Sequence, residues 1–159
     1  MQFVSDVKKK DFDSFVLSHS NVSFMQSSTW GEFWSKEMNR KPYYVGIVDK
    51  KKKLVAAALL FKKELPFGLC YFYSPRGMIL DWGNKGLVEL FTEEIKRFAK
   101  KQKAIYIKID PEVKLHDLDP DGNVLGGDHS ELDNYASNVR KLIYLLNAMN
   151  EDKSIDTYA

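Results

Sequence analysis

A helix and a strand follow each other with almost no connection between them in the middle of the chain. In residues 85–101 large apolar side chains recur with the helical period, and lysine and glutamate occupy the other face. Residues 104–109, AIYIKI, alternate like a strand, with the three isoleucines predicted on one side and Tyr106 and Lys108 on the other. An Asp-Pro pair ends this strand. The pattern predicts a crossover helix that covers one face of a sheet.

Three β-type runs precede this helix. They span residues 43–48, 54–61 and 69–73, and the lysine cluster 50–53 and a Pro-Phe-Gly turn separate them. Short runs with such connections predict an antiparallel meander. Together with the crossover, they predict an α/β (α+β) fold, with a mixed, largely antiparallel sheet flanked by helices.

The N-terminal part is predicted as a short strand followed by two helices. The first helix covers about residues 8–17, with apolar residues at the spacing of one face and Asp6 as its expected N-cap. The second helix begins near Ser28, where Thr29 and Glu32 have the spacing of a capping box. Both helices would pack on the sheet.

The pattern changes towards the C-terminus. Residues 112–129 are polar and contain Asp-Pro-Asp-Gly and Gly-Gly turn signals, which predict a long loop or a loose hairpin. A last helix is predicted over about residues 132–149. We therefore expect one domain over residues 1–150 and a charged tail over residues 151–159. A sheet of this kind usually returns for a closing strand, so we expect the chain to be part of a longer protein.

Charge and cysteine content argue against several classes of protein. The 24 basic and 22 acidic residues give a net charge of +2, so binding to nucleic acid or membranes would need a local patch. The single cysteine, Cys70, lies in an apolar run, which favours a buried thiol over a nucleophile and a reducing, cytoplasmic location. No stretch approaches the roughly 18 apolar residues of a transmembrane helix, and the first residues lack the apolar core of a signal peptide.

Common catalytic and cofactor motifs are missing from the sequence. The three histidines, His19, His116 and His129, are widely spaced and have no cysteine partner, so no metal site is predicted. There is no Gly-x-Ser-x-Gly nucleophile motif, and no glycine loop has the spacing of a phosphate site. No cofactor is expected.

Three segments remain that could bind a ligand, and each has a purely structural alternative. Gln26 precedes a helix whose free amides could hold an anion, or the segment is an ordinary capped helix with Trp30 in the core. Arg76 lies in a Pro-Arg-Gly turn, either as a fork for a carboxylate or phosphate or as a solvated turn residue. Asp110 ends a strand, where open α/β sheets contact ligands, or it caps a turn.

Four segments stand in a fixed order across residues 24–113. They read FMQSSTWGEFW from Phe24, KPYYVGIV from Lys41, YSPRGMILDW from Tyr73, and KGLVELFTEEIKRFAKKQKAIYIKIDPEV from Lys85. Together and in this order they resemble the Fem family of peptidoglycan aminoacyltransferases, of the FemA, FemB, FemX and MurM types. The resemblance is clear over somewhat more than half of the chain.

The resemblance implies a fold like that of the Gcn5-type N-acetyltransferases and a protein of two such domains, of which this chain is the first. It implies transfer of an amino acid from aminoacyl-tRNA to an amine on the stem peptide of a muramyl-pentapeptide or lipid-linked cell-wall precursor. The precursor would bind at this domain, with transient contact with the inner membrane face, and the tRNA would bind through the rest of the protein. The chain alone is expected to be inactive.

The resemblance also assigns roles to single residues. Many relatives carry a precursor-binding lysine where this chain has Trp34, and Lys36 is expected to replace it. Asp110 is expected at the precursor groove, either as a base or as an electrostatic guide for the acceptor amine. The residues expected to bind substrate are Gln26, Trp30, Lys36, Tyr73, Arg76 and Tyr106.

Two other functions remain open from the sequence. A non-catalytic, acetyltransferase-like module could bind a peptide or an anionic glycan and scaffold a partner. A small-molecule N-acyltransferase would need a coenzyme A loop of the Gln/Arg-x-x-Gly-x-Gly/Ala type, which the sequence lacks between Met78 and Lys85. A second domain of similar size in the full protein would favour the transferase.

Overall fold

The computed structural model describes residues 1–111 and 119–123. The predicted helix over residues 132–149, the domain boundary after residue 150 and most of the predicted polar loop lie outside the described residues. In the second described range, Asp119 Oδ1 accepts a hydrogen bond from the backbone N–H of Asn123 at 2.8 Å. The predicted Asp-Pro-Asp-Gly turn is therefore confirmed.

Residues 1–111 form six strands and three α-helices. In chain order these are β1 (Gln2–Val4), α1 (Lys9–Ser18), α2 (Ser28–Glu37), β2 (Lys41–Val48), β3 (Leu54–Glu64), β4 (Cys70–Pro75), β5 (Ile79–Leu80), α3 (Lys85–Lys101) and β6 (Ala104–Asp110). Two 3₁₀ turns, Phe24–Gln26 and Pro66–Gly68, precede α2 and β4. The predicted bounds of α3 are confirmed, and the three predicted central strands are confirmed with slightly different ends.

The strands form one sheet in the order β1-β2-β3-β4-β6, and β5 pairs with β3. The pairings among β1, β2, β3 and β4 are antiparallel, as is that of β5, which confirms the predicted meander. β6 lies parallel to β4, because the crossover through α3 returns the chain to the same end of the sheet. The predicted mixed, largely antiparallel sheet is confirmed.

Helix α3 covers one face of the sheet, and α1 and α2 cover the other. On the α3 side, Phe72, Phe91 and Ile107 are fully buried in the core. On the other side, Phe12 from α1 and Phe61 from β3 are fully buried in a second cluster. Because β3 is central and covered on both faces, its sequence is apolar without alternation.

The start of α1 differs from the prediction. Asp6 was expected as the N-cap, but Lys8 is the N-cap residue, and its side chain makes no capping hydrogen bond. The backbone N–H of Val7 donates to the carbonyl of Tyr44 in β2 at 2.8 Å. This tertiary bond positions the end of the N-terminal strand region, so the local capping preference of Asp6 does not decide where α1 begins.

The start of α2 is confirmed, but its predicted capping box is wrong. Ser27 is the N-cap residue, and its Oγ accepts from the backbone N–H of Trp30 at 3.2 Å. The predicted pair, Thr29 and Glu32, therefore begins two residues too far along the helix. Glu32 instead accepts a hydrogen bond from the Lys9 ammonium of α1 at 2.8 Å, so it joins the two helices.

Strand β6 contains one extra residue relative to β4. Cys70 pairs with Ala104, but Phe72 pairs with Ile107, so one residue of β4 faces two of β6 in a β-bulge. The bulge reverses the alternation, because Ala104 and Ile107 both face the core beneath α3. Ile105 is 37% exposed. The prediction that all three isoleucines share one side is therefore wrong for Ile105, which lies before the reversal.

Candidate functional site

The carboxyl ends of the parallel strands β4 and β6 lie side by side, and three predicted site residues meet there. Asp110 ends β6, and its Oδ2 accepts a hydrogen bond from Tyr73 Oη at 3.1 Å. Its Oδ1 accepts from the backbone N–H of Arg76 at 2.8 Å. The side chain of Arg76 is exposed, in a turn where its backbone is left-handed with φ +52°. The two bonds fix the half-buried carboxylate and leave further acceptor positions on its oxygens.

A lysine and two aromatic side chains pack around the Tyr73 ring. The Lys108 ammonium lies 5.4 Å from the centre of the Tyr73 ring, within the range of a cation–π contact. Trp34 of α2 lies 5.9 Å from the same ring and stacks on Phe61 at 4.7 Å. We give the name strand-end cluster to Asp110, its two hydrogen-bond partners and the two side chains that contact the Tyr73 ring. It consists of Trp34, Tyr73, Arg76, Lys108 and Asp110.

Burial raises the pKa of Tyr73 to about 12, and the charge of Asp110 and its hydrogen bond add to the rise. Arg76 opposes it. Tyr73 is therefore neutral at physiological pH, and its hydroxyl donates a hydrogen bond to the Asp110 carboxylate. The cluster thus presents one carboxylate that is oriented by Tyr73 and by the Arg76 backbone.

Replacing Asp110 by asparagine should lower the pKa of Tyr73, because it removes the negative charge that disfavours the phenolate. Burial of the ring persists, so the pKa should remain above the ordinary value of 10.0. Ultraviolet titration of tyrosinate measures the change, and a Tyr73→Phe variant identifies the step that belongs to this residue. Asp81→Asn, the same substitution in an exposed turn, should leave that step in place. An unchanged step in Asp110→Asn would contradict the contact.

The predicted ligand residue Gln26 is fully buried and is part of the sheet instead. Between its pairings with β4 and β5, β3 has no strand partner on that edge, and the amide of Gln26 fills the gap. Its Oε1 accepts from the backbone N–H of Leu59 at 2.8 Å, and its Nε2 donates to the carbonyl of Pro75 at 2.6 Å. Ser74 Oγ and the Leu59 carbonyl lie further from Nε2, at 3.3 and 3.5 Å. Gln26 therefore positions the end of β4 and the Arg76 turn.

Lys36 is not brought to the strand-end cluster. It lies two residues after Trp34, which is about 200° around the helix, on the opposite face of α2. That face carries Glu32, whose pKa is lowered first by the Lys9 hydrogen bond and also by the charge of Lys36. Lys108, which the sequence interpretation missed, supplies the cation instead. Its position two residues before Asp110 on a strand is the signal that could have identified it.

Trp30 and Tyr106 lie at the edges of the cluster. Trp30 is half-buried and contacts Trp34 at 6.1 Å between ring centres, and its indole N–H is buried without a hydrogen-bond partner among the described residues. Tyr106 stacks on Tyr71 at 4.7 Å, on the side of β6 that carries Lys108. Both rings extend the aromatic surface that begins at the cluster.

The described residues offer little for metal or thiol chemistry. In residues 1–111 and 119–123, no three His, Cys, Asp or Glu side chains come together as metal ligands. Cys70 is fully buried, as predicted, and its Sγ donates to the carbonyl of Gln102 at 3.1 Å. Burial raises the pKa of this thiol, which disfavours the thiolate. None of the helices in this part of the chain is long and apolar enough to cross a membrane.

A sequence profile described as the FemAB family matches residues 7–154. The chain belongs to the FemAB family. The match covers the cluster residues on α2, β4 and β6, and it confirms the resemblance carried by the four sequence segments. The strand-end cluster is therefore part of the domain that defines membership of the family here.

Curated FemAB relatives are longer proteins. The chain is 34% identical over 118 residues to the lipid II:glycine glycyltransferase of Staphylococcus haemolyticus, covering 69% of this chain and 26% of the relative. It is 30% identical over 122 residues to the aminoacyltransferase FemA of Staphylococcus aureus, covering 77% of this chain and 29% of the relative. The chain thus spans between a quarter and a third of the length of these relatives.

The fold also has a counterpart among solved structures. The crystal structure of FemX matches with a TM-score of 0.70 at 24% sequence identity, covering 92% of this chain and 32% of that chain. The FemAB architecture in residues 1–111 is therefore shared with FemX as a fold. Two clefts, of about 480 and 450 Å³, lie elsewhere in the described part of the chain and are lined by none of the cluster residues.

Proposed function

We propose that this chain is the precursor-binding first domain of an aminoacyltransferase of peptidoglycan cross-bridge synthesis. The observation that carries the proposal is the strand-end cluster, where the Asp110 carboxylate is held by Tyr73 and by the Arg76 backbone. The acceptor of such a reaction is an amine of the stem peptide, which is cationic in water. An oriented carboxylate at the end of two parallel strands is suited to receive an ammonium group.

The transfer needs no covalent enzyme intermediate, because the ester of aminoacyl-tRNA is already activated. The acceptor nitrogen attacks the ester carbonyl, an amide bond forms, and the bond to the ribose oxygen breaks. The amine loses a proton, and the ribose oxygen gains one. Asp110 would position the amine and accept its proton, and Tyr73 would keep the carboxylate aimed at it.

The other cluster residues suit an anionic, amphipathic ligand. Arg76 and Lys108 would contact carboxylate or phosphate groups of the precursor, since both side chains are exposed cations and the Lys108 ammonium lies over the Tyr73 ring. Trp34 and Tyr106 would provide apolar surface for the sugar and peptide. Gln26 supports the site from within the sheet.

The proposed activity belongs to a longer protein. Residues 1–150 would form its first domain, of the Gcn5-type N-acetyltransferase kind, and residues 151–159 a connection to the rest. Aminoacyl-tRNA would bind through that remaining part, on the cytoplasmic side of the membrane. The chain alone would then bind the precursor without transferring an amino acid.

Binding of a muramyl-pentapeptide precursor tests the proposal. Titration calorimetry with a nucleotide-linked or lipid-linked form, beside a stem peptide lacking the sugar, should give saturable binding that depends on the sugar-phosphate part. Asp110→Asn and Arg76→Gln should each weaken binding by about tenfold, which corresponds to about 1.4 kcal/mol. The asparagine keeps an acceptor oxygen for the Arg76 backbone, so the turn should persist.

Asp81→Asn and Arg97→Gln make the same chemical changes at exposed positions away from the cluster, and they should leave binding unchanged. Absence of binding at millimolar precursor would move the acceptor site to the rest of the protein and favour a scaffold module. Binding that tolerates both cluster variants would also contradict the assignment to Asp110 and Arg76.

A further inference from the structure

The end of the sheet opposite to the strand-end cluster brings three connections together, those between α2 and β2, β3 and β4, and α3 and β6. The backbone N–H of Cys70 donates to the carbonyl of Lys103 at 3.2 Å, which ties the start of β4 to the turn after α3. Arg40 Nη1 donates to Tyr71 Oη at 2.9 Å, which ties the turn after α2 to the same strand. We name this surface the turn face. It consists of residues 36–41, 62–69 and 100–103.

An aromatic side chain projects from the centre of the turn face. Phe67, in the 3₁₀ turn before β4, is 98% exposed and has a left-handed backbone with φ +62°. That conformation is unfavourable for a bulky residue, yet the turn holds a phenyl ring where the described residues give it almost no cover. Met38 and Leu69 are also exposed, at 53% and 37%. The turn face therefore carries a small apolar projection.

Cations surround this projection. The turn face has eight Lys and Arg residues against two acids, Glu37 and Glu64, whereas the whole chain has a net charge of only +2. Glu64 pairs with Lys62 at 2.7 Å, which leaves seven basic residues and Glu37 outside this ion pair. Arg40 and Lys63 line a cleft of about 450 Å³ with Lys62 and Glu64. An excess of positive charge thus surrounds the most exposed aromatic ring in the described part of the chain.

We propose that the turn face docks on an anionic phospholipid surface. Phe67 and Leu69 would enter the headgroup region, where aromatic and aliphatic side chains are favoured, and the lysines would contact lipid phosphates. Each basic residue near such a surface adds to binding, and the contributions sum over a cluster. Nucleic acid fits this surface less well, because the aliphatic side chains of Met38 and Leu69 offer no ring for a base to stack on.

Docking in this way would fix the distance between the strand-end cluster and the membrane surface. Strand β4 runs from the turn face, at Cys70, to Pro75, which is paired with Asp110. At about 3.3 Å per residue, the carboxylate would stand roughly 20 Å from the headgroups. The inference goes beyond the proposed function and does not depend on it, because binding to lipid requires no precursor.

Sedimentation with vesicles tests the inference on the whole chain. Wild-type protein should bind vesicles of phosphatidylglycerol and phosphatidylcholine, lose binding as salt is raised, and not bind phosphatidylcholine alone. Phe67→Asn should weaken binding about tenfold, and asparagine tolerates the left-handed backbone. Lys41→Gln combined with Lys63→Gln should also weaken it about tenfold. Phe67→Trp should keep binding and show a blue-shifted emission when vesicles are added.

Two control variants match these changes elsewhere on the surface. Leu17→Asn removes an apolar side chain that is 75% exposed on α1, and Lys50→Gln with Lys51→Gln removes two charges from the β2–β3 turn at the other end of the sheet. Both should bind vesicles like the wild type. The inference is overturned if the wild type ignores anionic vesicles, if Phe67→Asn binds normally, or if the controls weaken binding equally. It is also overturned if the turn-face variants lose binding to an RNA oligonucleotide but not to vesicles.

Discussion

Replacing Gln26 by leucine should lower the free energy of unfolding by about 2–5 kcal/mol, since each buried polar group left unpaired costs about 1–3 kcal/mol. Leucine has a similar size but no polar atoms, so the N–H of Leu59 and the carbonyl of Pro75 would both lose their partner. Neither can pair with a strand, because β4 and β5 leave this stretch of β3 uncovered. Chemical denaturation followed by circular dichroism measures the loss.

The matched control for this substitution is Gln2→Leu. Gln2 is an exposed residue of β1, and its side chain accepts only from Lys52 at the surface. We expect a change within about 0.5 kcal/mol there. If Gln26→Leu were equally mild, the amide would not be an essential partner in the sheet, and a direct role in ligand binding would become the better explanation for a glutamine at this position.

Gly31→Ala should destabilise the protein by about 1–3 kcal/mol, the usual cost of forcing extra volume into a packed core. Gly31 faces the sheet from α2, and an added Cβ would lie 2.2 Å from Tyr44 Oη and 3.1 Å from its Cζ. The ring cannot easily withdraw, because Tyr44 is buried and packs edge-on against Phe12 at 5.1 Å. Thermal unfolding of the purified variant measures the effect.

Two further variants show whether the clash is the cause. In a Tyr44→Phe background the closest atom is gone, so Gly31→Ala should cost less than it does alone, and a double-mutant cycle should give a coupling energy. Gly86→Ala makes the same change in α3, where the new Cβ meets nothing nearer than Asn84 Oδ1 at 3.9 Å. It should stabilise the protein by about 0.5–1 kcal/mol, because alanine is the better helix former. Additive effects of Gly31→Ala and Tyr44→Phe would contradict the steric explanation.

The parts of the fold that depend on local pattern could be predicted from the sequence. The helical period of residues 85–101 and the apolar runs of the meander act within a few residues, so α3 and the central strands follow from them. The cap of α1 differs from the prediction because the tertiary bond of Val7 to Tyr44 competes with local preference, whereas α2 is capped locally by Ser27, one of three consecutive Ser and Thr residues at its start. The order of elements also predicts the parallel pairing of β4 and β6.

Some residues of the candidate site could be predicted from the order of the elements, and others depend on tertiary structure. Tyr73, Arg76 and Asp110 meet because two strands end together, which the order of elements implies. Lys36 lies on the opposite face of α2 from Trp34, which their distance in sequence does not show unless the helical period is taken into account. The role of Gln26 could not be read at all, since it depends on a gap in a sheet formed by residues more than 30 positions away. A polar residue among apolar neighbours signals a buried partner as readily as a ligand.

The extra residue in β6 decides which side chains of the strand face the core and which face the cluster. Counting back from Asp110, Lys108 and Tyr106 lie on the same side of the strand, whereas Ala104 faces the core, because the bulge places two residues between Ala104 and Ile107. Deleting Ile105 would therefore remove the bulge without shifting the register. If the pairing at Ala104 were kept, Ile107 would still pair with Phe72, and Lys108 and Asp110 would stay on the side of the cluster. A one-residue alignment error after the bulge would instead exchange the core-facing positions for the cluster-facing ones, so the bulge is the fixed point from which functional positions should be counted.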